Sequence, residues 1–375
     1  MRPLFSYHEL AYSPPTTVLE AMLLAHFRSL FPAATGPDGL ISCFDHLMPD
    51  AQLRRKIILK GGPGVGKSTF MRRVHAALCG DAEDSTLYFC SGDPDSLDAV
   101  AIPGKGLLIL DGTAPHIVDP AIPGARDSLI NLGDCLNEDA LRPRLAQIRS
   151  VMTDHGACMR RARACLQAAK TLLMDNAQII AQAADPVRLS RLAQALINAV
   201  LSDAKADAPS PAVVRPVITD AVTAKGELCL LRENAYQRII RLTGHSAADF
   251  TPILRTLSHA AQARGFSVEE HLNPRLPGSL LHLSVPALST LVTTGSHLAS
   301  EMTFDLSACI PQEKLLRHEC TLEQGNAAAA LHTHRAVTAL AAAKELHDEL
   351  ESFYVPNMDF TKWQKKLDET LASLG

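Results

Sequence analysis

Apolar and polar positions follow two different modes along the chain. Between residues 53 and 133 the apolar positions gather into short runs, Lys56-Ile57-Ile58-Leu59, Thr86-Leu87-Tyr88-Phe89-Cys90 and Gly106-Leu107-Leu108-Ile109-Leu110-Asp111, bounded by Gly, Pro and Asp. Runs of strand length separated by helical or turn segments predict a parallel sheet with crossover helices. From Asn137 to Ser202 the pattern becomes helical and rich in Ala and Leu. Ala164, Leu166, Ala169, Leu172 and Leu173 stand in heptad-like spacing, and the pattern breaks at Asp185-Pro186. A proline at that point separates two helices, so a helical hairpin is expected.

The succession then recurs. Ile57 to Gly62 has a counterpart in Ile239 to Gly244 at an offset of 182, each preceded by a turn-like element, Thr35 to Gly39 and Thr223 to Gly226. Asp93-Pro94 pairs with Asn273-Pro274 at an offset of 180. Later matches keep a constant 174: Cys135-Leu136 with Cys309-Ile310, Ala168-Ala169-Lys170 with Ala342-Ala343-Lys344, and Asp185 with Asp359. Several weak matches in one order argue for a duplication. The organisation expected is a β/α domain over 1–136, a helical hairpin over 137–204, a second β/α domain over 205–312, and a second hairpin over 313–375 that turns at Val355-Pro356-Asn357. Residues 205–216, with three prolines, read as the linker.

Composition narrows the partners. The 375 residues exceed what one core of about 250 to 300 residues accommodates. A net charge of −4 with scattered Lys and Arg offers no basic stripe, so nucleic acid is not favoured. No run of about 18 uncharged apolar residues occurs, and residues 1–15 lack a basic stretch followed by an apolar one, so neither a membrane span nor a signal peptide is expected. Nine scattered cysteines without a CxxC pair suit reduced thiols, and a cytoplasmic location is expected. His332 and His334 would point about 200° apart on a helix, which makes them a poor metal pair.

The sharpest chemical signal is Gly61-Gly62-Pro63-Gly64-Val65-Gly66-Lys67-Ser68, which satisfies G-x-x-x-x-G-K-[ST], the Walker A pattern. An apolar run precedes it, and Thr69 to Leu78 follow with helical spacing. Glycines permit positive φ and bring backbone N–H groups close to a polyphosphate, while the following helix aims the positive end of its dipole at the same oxygens. Lys67 is expected to reach the β- and γ-phosphates, Ser68 to ligate Mg²⁺, and Thr69 to face the α-phosphate. Asp111, at the end of an apolar run, is the expected second Mg²⁺ ligand. Asp93, Asp95 or Asp98 would accept a proton from an attacking water or hydroxyl, and His116 would act as a base or hold a phosphate oxygen, with Asp93 and His116 favoured. The alternative for these clusters is an Asx-turn with a helix cap, and a histidine packed on Pro115.

In the second half, an ungapped alignment puts Asp249 at the position of Lys67. It also puts Phe250 where the Mg²⁺-binding hydroxyl stood and Thr293 in place of Asp111. One intact site per chain is therefore expected, with the second half serving as an intramolecular partner surface. The stretches GGPGVGKST, CSGDPDSLDAV and LLILDGTAPHIVDPAIPGARDSLINLG resemble an uncharacterised family of bacterial tandem P-loop ATPase-like proteins. The resemblance implies an α/β fold of two tandem P-loop NTPase-like domains, each with a helical hairpin, in a bacterial cytosol. The function expected is an ATP-binding, Mg²⁺-dependent ATPase (hydrolase) or nucleotide-controlled switch, with a macromolecular partner the sequence does not name. A small-molecule or nucleotide kinase and a non-catalytic nucleotide-binding scaffold are the alternatives. No N-K-x-D segment for guanine occurs, so ATP is the expected nucleotide.

Overall fold

A computed structural model describes residues 27–79, 84–202 and 211–375. The chain start, and the first half of the linker expected over 205–216, lie outside the described residues. The first sheet contains β1 (Phe27–Leu30), β4 (Arg55–Lys60), β5 (Ser85–Phe89), β6 (Leu97–Ile102), β7 (Leu107–Asp111) and β8 (Asp127–Asn131), in the order β1-β5-β6-β7-β4-β8. A small hairpin, β2 (Ala33–Gly36) and β3 (Gly39–Ser42), stands apart from it. Helix α1 (Lys67–Leu78) follows β4. Ile57 and Leu59 point to its side and pack with Phe70, Met71 and Val74, while Ile58 points to the opposite face with Ala33, Ala99, Leu108 and Leu110.

The second half repeats this layout strand for strand. Its members are β9 (Val214–Val217), the hairpin β10 (Asp220–Thr223) and β11 (Gly226–Cys229), β12 (Arg238–Thr243), α4 (Thr251–Ala263), β13 (Val268–Leu272), β14 (Leu280–Val285), β15 (Thr290–Thr293) and β16 (Met302–Asp305). Their order is β16-β12-β15-β14-β13-β9, the first sheet read from the other edge. A duplicated α/β architecture is thus present.

Two expectations need correction. The sheets are mixed, because β6 and β14 run antiparallel to both neighbours. Only residues 90–96 and 103–106 flank β6, too few for the crossover of roughly a dozen residues that a parallel pair requires. The sheet register also follows an offset of 183, not 182. The turn Pro103–Lys105 corresponds to Pro286–Leu288, and each is followed by a residue of positive φ, Gly106 at 62° and Ser289 at 45°. Side-chain alternation demands the same shift: Ile57 and Leu59 face α1, as Ile240 and Leu242 face α4. Asp93-Pro94 therefore corresponds to Leu276-Pro277, as the hydrogen bonds from Ser96 N to Asp93 O and from Ser279 N to Leu276 O also require.

The helices exchange partners between the halves. Helix α2 (Leu145–Ala183, 39 residues) runs antiparallel to α5 (Glu319–Tyr354, 36 residues). Ile148 and Val151 meet Leu350, Ala162 and Leu166 meet Ala336 and Leu340, and Ile180 meets Leu322. Buried Asn176 donates to Leu322 O at 3.0 Å, and a Cβ at Gly325 would lie 2.5 Å from its amide, so the close crossing needs glycine. Helix α3 (Pro186–Leu201) then packs through Leu196, Val200 and Leu201 on α4 of the second half. Helix α6 (Phe360–Leu374) packs through Trp363 and Leu367 on α1 of the first half. Matching bonds seal the exchange: Asp185 N donates to Cys309 O at 2.8 Å and Asp359 N to Cys135 O at 2.7 Å. No disulfide joins any of the nine cysteines, and no helix among the described residues is long and apolar enough to cross a membrane.

Candidate functional site

The loop between β4 and α1 has a backbone that only glycine adopts freely. Gly61, Gly64 and Gly66 have φ of 145°, 69° and 78°. A Cβ would meet Val65 Cγ2 at 2.6 Å from Gly61, Val355 Cγ2 at 2.9 Å from Gly64, and Trp363 Nε1 at 3.1 Å from Gly66. Val65 is buried and anchors the loop to the core. Gly66 is the N-cap of α1 and offers no side-chain bond to the first turn, where the positive end of the helix dipole lies.

Lys67, the first residue of α1, turns back over this loop. Its Nζ donates to Gly61 O at 2.8 Å and Gly62 O at 2.9 Å, and stands 3.6 Å from Asp111 Oδ2. Asp111 ends β7 beside β4, opposite Leu59, and its Oδ1 accepts from the backbone N–H of Thr113 at 2.8 Å and from the Thr113 hydroxyl. Ser68 Oγ accepts from Leu97 N at 2.9 Å, tying the helix start to β6. Thr69 is exposed on the helix surface, and Gly62 and Pro63 are half-buried.

Behind these groups lies Asp98, almost fully buried in the bulge where β5 and β6 shift register. Burial, together with the Asp111 carboxylate, pushes its pKa up to about 7. His116 stacks on Phe44, with ring centroids 4.6 Å apart, and its Nε2 stands 3.9 Å from Asp98 Oδ2. Burial lowers its pKa against the pull of Asp111, and its Nδ1 has no partner among the described residues. Asp93 sits farther out, accepting from Ser96 Oγ at 2.9 Å and lying 3.7 Å from Lys344 of α5. Asp95 is exposed and pairs with Lys225 at 2.5 Å. The structure thus gathers Lys67, Asp111, Asp98 and His116, and leaves Asp93 at the rim.

The far end of the chain covers the loop. The Glu351 carboxylate accepts the backbone N–H of Gly64, and that bond together with the larger effect of His347 at 3.6 Å holds its pKa below the usual carboxylate range. Tyr354 reaches within 3.9 Å of a Cβ position on Gly62. Trp363, beside Gly66, meets Phe70 edge-on and Arg73 through its ring face, and its buried Nε1 has no partner among the described residues. The sequence reading missed these residues, because nothing local says that a hairpin nearly 300 residues away crosses back to this loop.

The corrected register revises the second loop. Thr251 takes the place of Ser68, and its Oγ1 accepts from Leu280 N at 2.9 Å just as Ser68 accepts from Leu97. The hydroxyl is therefore retained. It is Phe250 that replaces Lys67, Thr294 that replaces Asp111, and Asp249 that replaces Gly66, where its carboxylate accepts from the backbone N–H of Thr251, the first residue of α4, at 2.9 Å. No family model matches the sequence, and no curated protein or solved structure matches it.

Proposed function

We propose that the chain is an ATP-binding protein of the P-loop NTPase kind, with one Mg²⁺-dependent ATPase site in its first half whose nucleotide state is passed to the helical hairpins. The observation that carries this reading is Lys67. Its ammonium rests on two loop carbonyls 3.6 Å from Asp111, at the foot of a helix with no side-chain cap, so a cation, a carboxylate and the start of a helix converge on one loop.

The residues suit a triphosphate with its metal. Positive-φ glycines keep the cradle clear of Cβ atoms, and the N–H groups of a helix's first turn favour phosphate oxygens. Asp111 and Ser68 supply hard oxygen donors of the kind Mg²⁺ prefers. When bound, Mg²⁺ would neutralise charge on the β- and γ-phosphates. Lys67 would leave its carbonyls for the phosphates as a point charge. Asp98, near half-ionised at neutral pH, is the buried carboxylate available to take a proton from an attacking water, and His116, kept neutral, offers its unpartnered Nδ1 to a polar group.

Coupling to the hairpin follows from Glu351. Its carboxylate takes the Gly64 N–H, a donor that a phosphate would need, so nucleotide entry displaces the end of α5. Lys344, beside Asp93, extends the same contact along the helix. A helix that changes its docking with the γ-phosphate is one form of nucleotide switch.

Isothermal titration with Mg·ATP and Mg·GTP, run beside phosphate release, tests the reading. The expected result is one saturable ATP site per chain, and its loss in Lys67→Ala. Phosphate release unchanged by Lys67→Ala would sink the assignment.

A further inference from the structure

The second half carries a donor cluster on the sheet face turned away from α4. Asp220 opens β10, Cys229 closes β11 and His282 lies in β14. A carboxylate oxygen, a thiol sulfur and an imidazole nitrogen from these three all fall within 4.8 Å of one another. Asp220 Oδ2 stands 3.0 Å from His282 Nε2. Supporting groups hold both: His282 Nδ1 lies 2.8 Å from Thr293 Oγ1, which also accepts from Gly295 N, and Asp220 Oδ2 accepts from Thr219 Oγ1 at 2.8 Å. Behind them His271, fully buried, meets His282 edge-on at 5.6 Å and bonds with Thr219 and Ser284.

The first half shows that this fold has no architectural need for such groups. By the register given above, and by the matching hairpins, the equivalents of Asp220, Cys229 and His282 are Ala33, Ser42 and Ala99. Those of Thr293 and His271 are Leu110 and Tyr88. In the first half Ala33, Ala99, Leu110 and Tyr88 form one apolar cluster with Leu108. Replacing apolar packing by a half-buried carboxylate and a buried imidazole is costly unless something compensates their desolvation. Three replacements from separate strands converge on a single point, which an isolated buried hydrogen bond would not require.

Access is also present. A pocket of about 120 Å³ is lined by Asp220, Cys229, Glu227, Asn273 and Arg275, and the Asp220 side chain remains 24% exposed. We propose that Asp220, Cys229 and His282 bind a divalent cation of the zinc class, with the pocket supplying the fourth ligand as water or a bound small molecule. One sulfur, one nitrogen and one oxygen match the borderline preference of Zn²⁺, which takes three protein ligands and an open position at sites that meet solvent. Thr293 fixes the imidazole, as outer groups around metal-bound histidines do. This site is independent of the glycine loop.

The test uses the full chain. Its metal content is measured by mass spectrometry after purification without chelator, and the chelator-stripped protein is then titrated with Co²⁺. The expected result is one Co²⁺ per chain with thiolate-to-cobalt charge-transfer absorption, displaced by Zn²⁺. That absorption should vanish in Cys229→Ser, and affinity should fall about tenfold or more in His282→Gln. Lys67→Ala should bind cobalt as wild type does. Should Cys229→Ser fail to fold, the triple variant Asp220→Ala, Cys229→Ser, His282→Ala gives the same readout with the side chains the first half already uses there. Wild type lacking charge-transfer absorption, or absorption that persists when Cys229 is replaced, would overturn the proposal.

Discussion

The two halves share a strand order and differ in what meets the loop after their fourth strand. In the first half, Gly64 and Gly66 face Glu351, Val355 and Trp363. The residues 174 positions earlier, which cover the second loop from α2 and α3, put Ala177 in place of Glu351, Ile180 in place of Tyr354 and Leu189 in place of Trp363. There Ala247 and Ala248 pack against Ile180 and Ala183 in an apolar seal. A polar cover that an anion can displace stands against an apolar one that it cannot. The opposite sheet faces differ in the reverse sense, apolar in the first half and polar in the second. One copy has a loop under a cover that includes a carboxylate, with an apolar back; the other has a loop under an apolar seal, with a donor cluster behind it.

The largest expected effect breaks the symmetry where the halves join. Arg28 and its equivalent Arg215 share one carboxylate, Glu269. Arg28 donates to it at 2.7 and 2.5 Å and Arg215 at 2.6 Å, while the first-half position equivalent to Glu269 is Thr86. Burial disfavours the charged Glu269, yet Arg28 and then Arg215 outweigh it and hold its pKa well below the carboxylate range. Glu269→Ala leaves two guanidinium groups without a partner and should cost about 3 to 5 kcal/mol in denaturant-induced unfolding. Because the folded pKa is depressed, the stabilisation is present above about pH 4.5 and is lost as pH falls through the folded value. A loss below about 1 kcal/mol would mean that the halves are held chiefly by the α2 and α5 crossing.

Next comes the pair Lys67→Ala and Phe250→Ala, which ask the same question of equivalent positions. Nucleotide affinity should fall about 100-fold or more in the first, roughly 2.8 kcal/mol at 1.4 kcal/mol per decade, and stay within about twofold in the second. Equal losses would show two working loops. Asp98→Asn follows. Burial and Asp111 raise this carboxyl to about 7, so the ionised form grows as pH passes through neutrality. Phosphate release by wild type should rise through about pH 7, and the asparagine variant should lose that limb along with at least about tenfold of the rate. The same ionisation opposes folding: stability is fullest below the ordinary value near 4 and declines as pH climbs towards 7, so Asp98→Asn should flatten that decline.

How much of this was legible follows from distance along the chain. The glycine loop, its flanking strand and Asp111 are contiguous or end an apolar run, so their local pattern carries them. Strand β6 escaped because its residues follow the polar stretch Ser91 to Ser96 and include Asp98, whose place in a bulge breaks the alternation. The offset of 182 came from matching Ile57-Ile58 to Ile239-Ile240. The side to which each residue points, the turns after β6 and β14 and the bonds of Ser96 and Ser279 select 183, and these are properties of the folded sheet. The exchange of hairpins was beyond reach for a different reason. An amphipathic stripe such as Trp363, Leu367 and Thr370 states that a helix is buried on one side, not which surface receives it.

The smallest effect probes the cover itself. Glu351 competes with phosphate for the Gly64 N–H, and a charged acceptor holds such a donor more strongly than a neutral amide by about 1 kcal/mol. Glu351→Gln should therefore bind Mg·ATP a few-fold more tightly, whereas Ala177→Glu, at the matching place over the second loop, should leave affinity unchanged. Trp363 is the chain's single tryptophan and lies against Gly66, so its fluorescence reports both the cover and the nucleotide without a label. In wild type the emission should change with ATP, and Glu351→Gln should show part of that change before any nucleotide is added. If Glu351→Gln instead weakens ATP binding, the carboxylate helps to build the site rather than block it, and α5 would close over nucleotide instead of giving way to it.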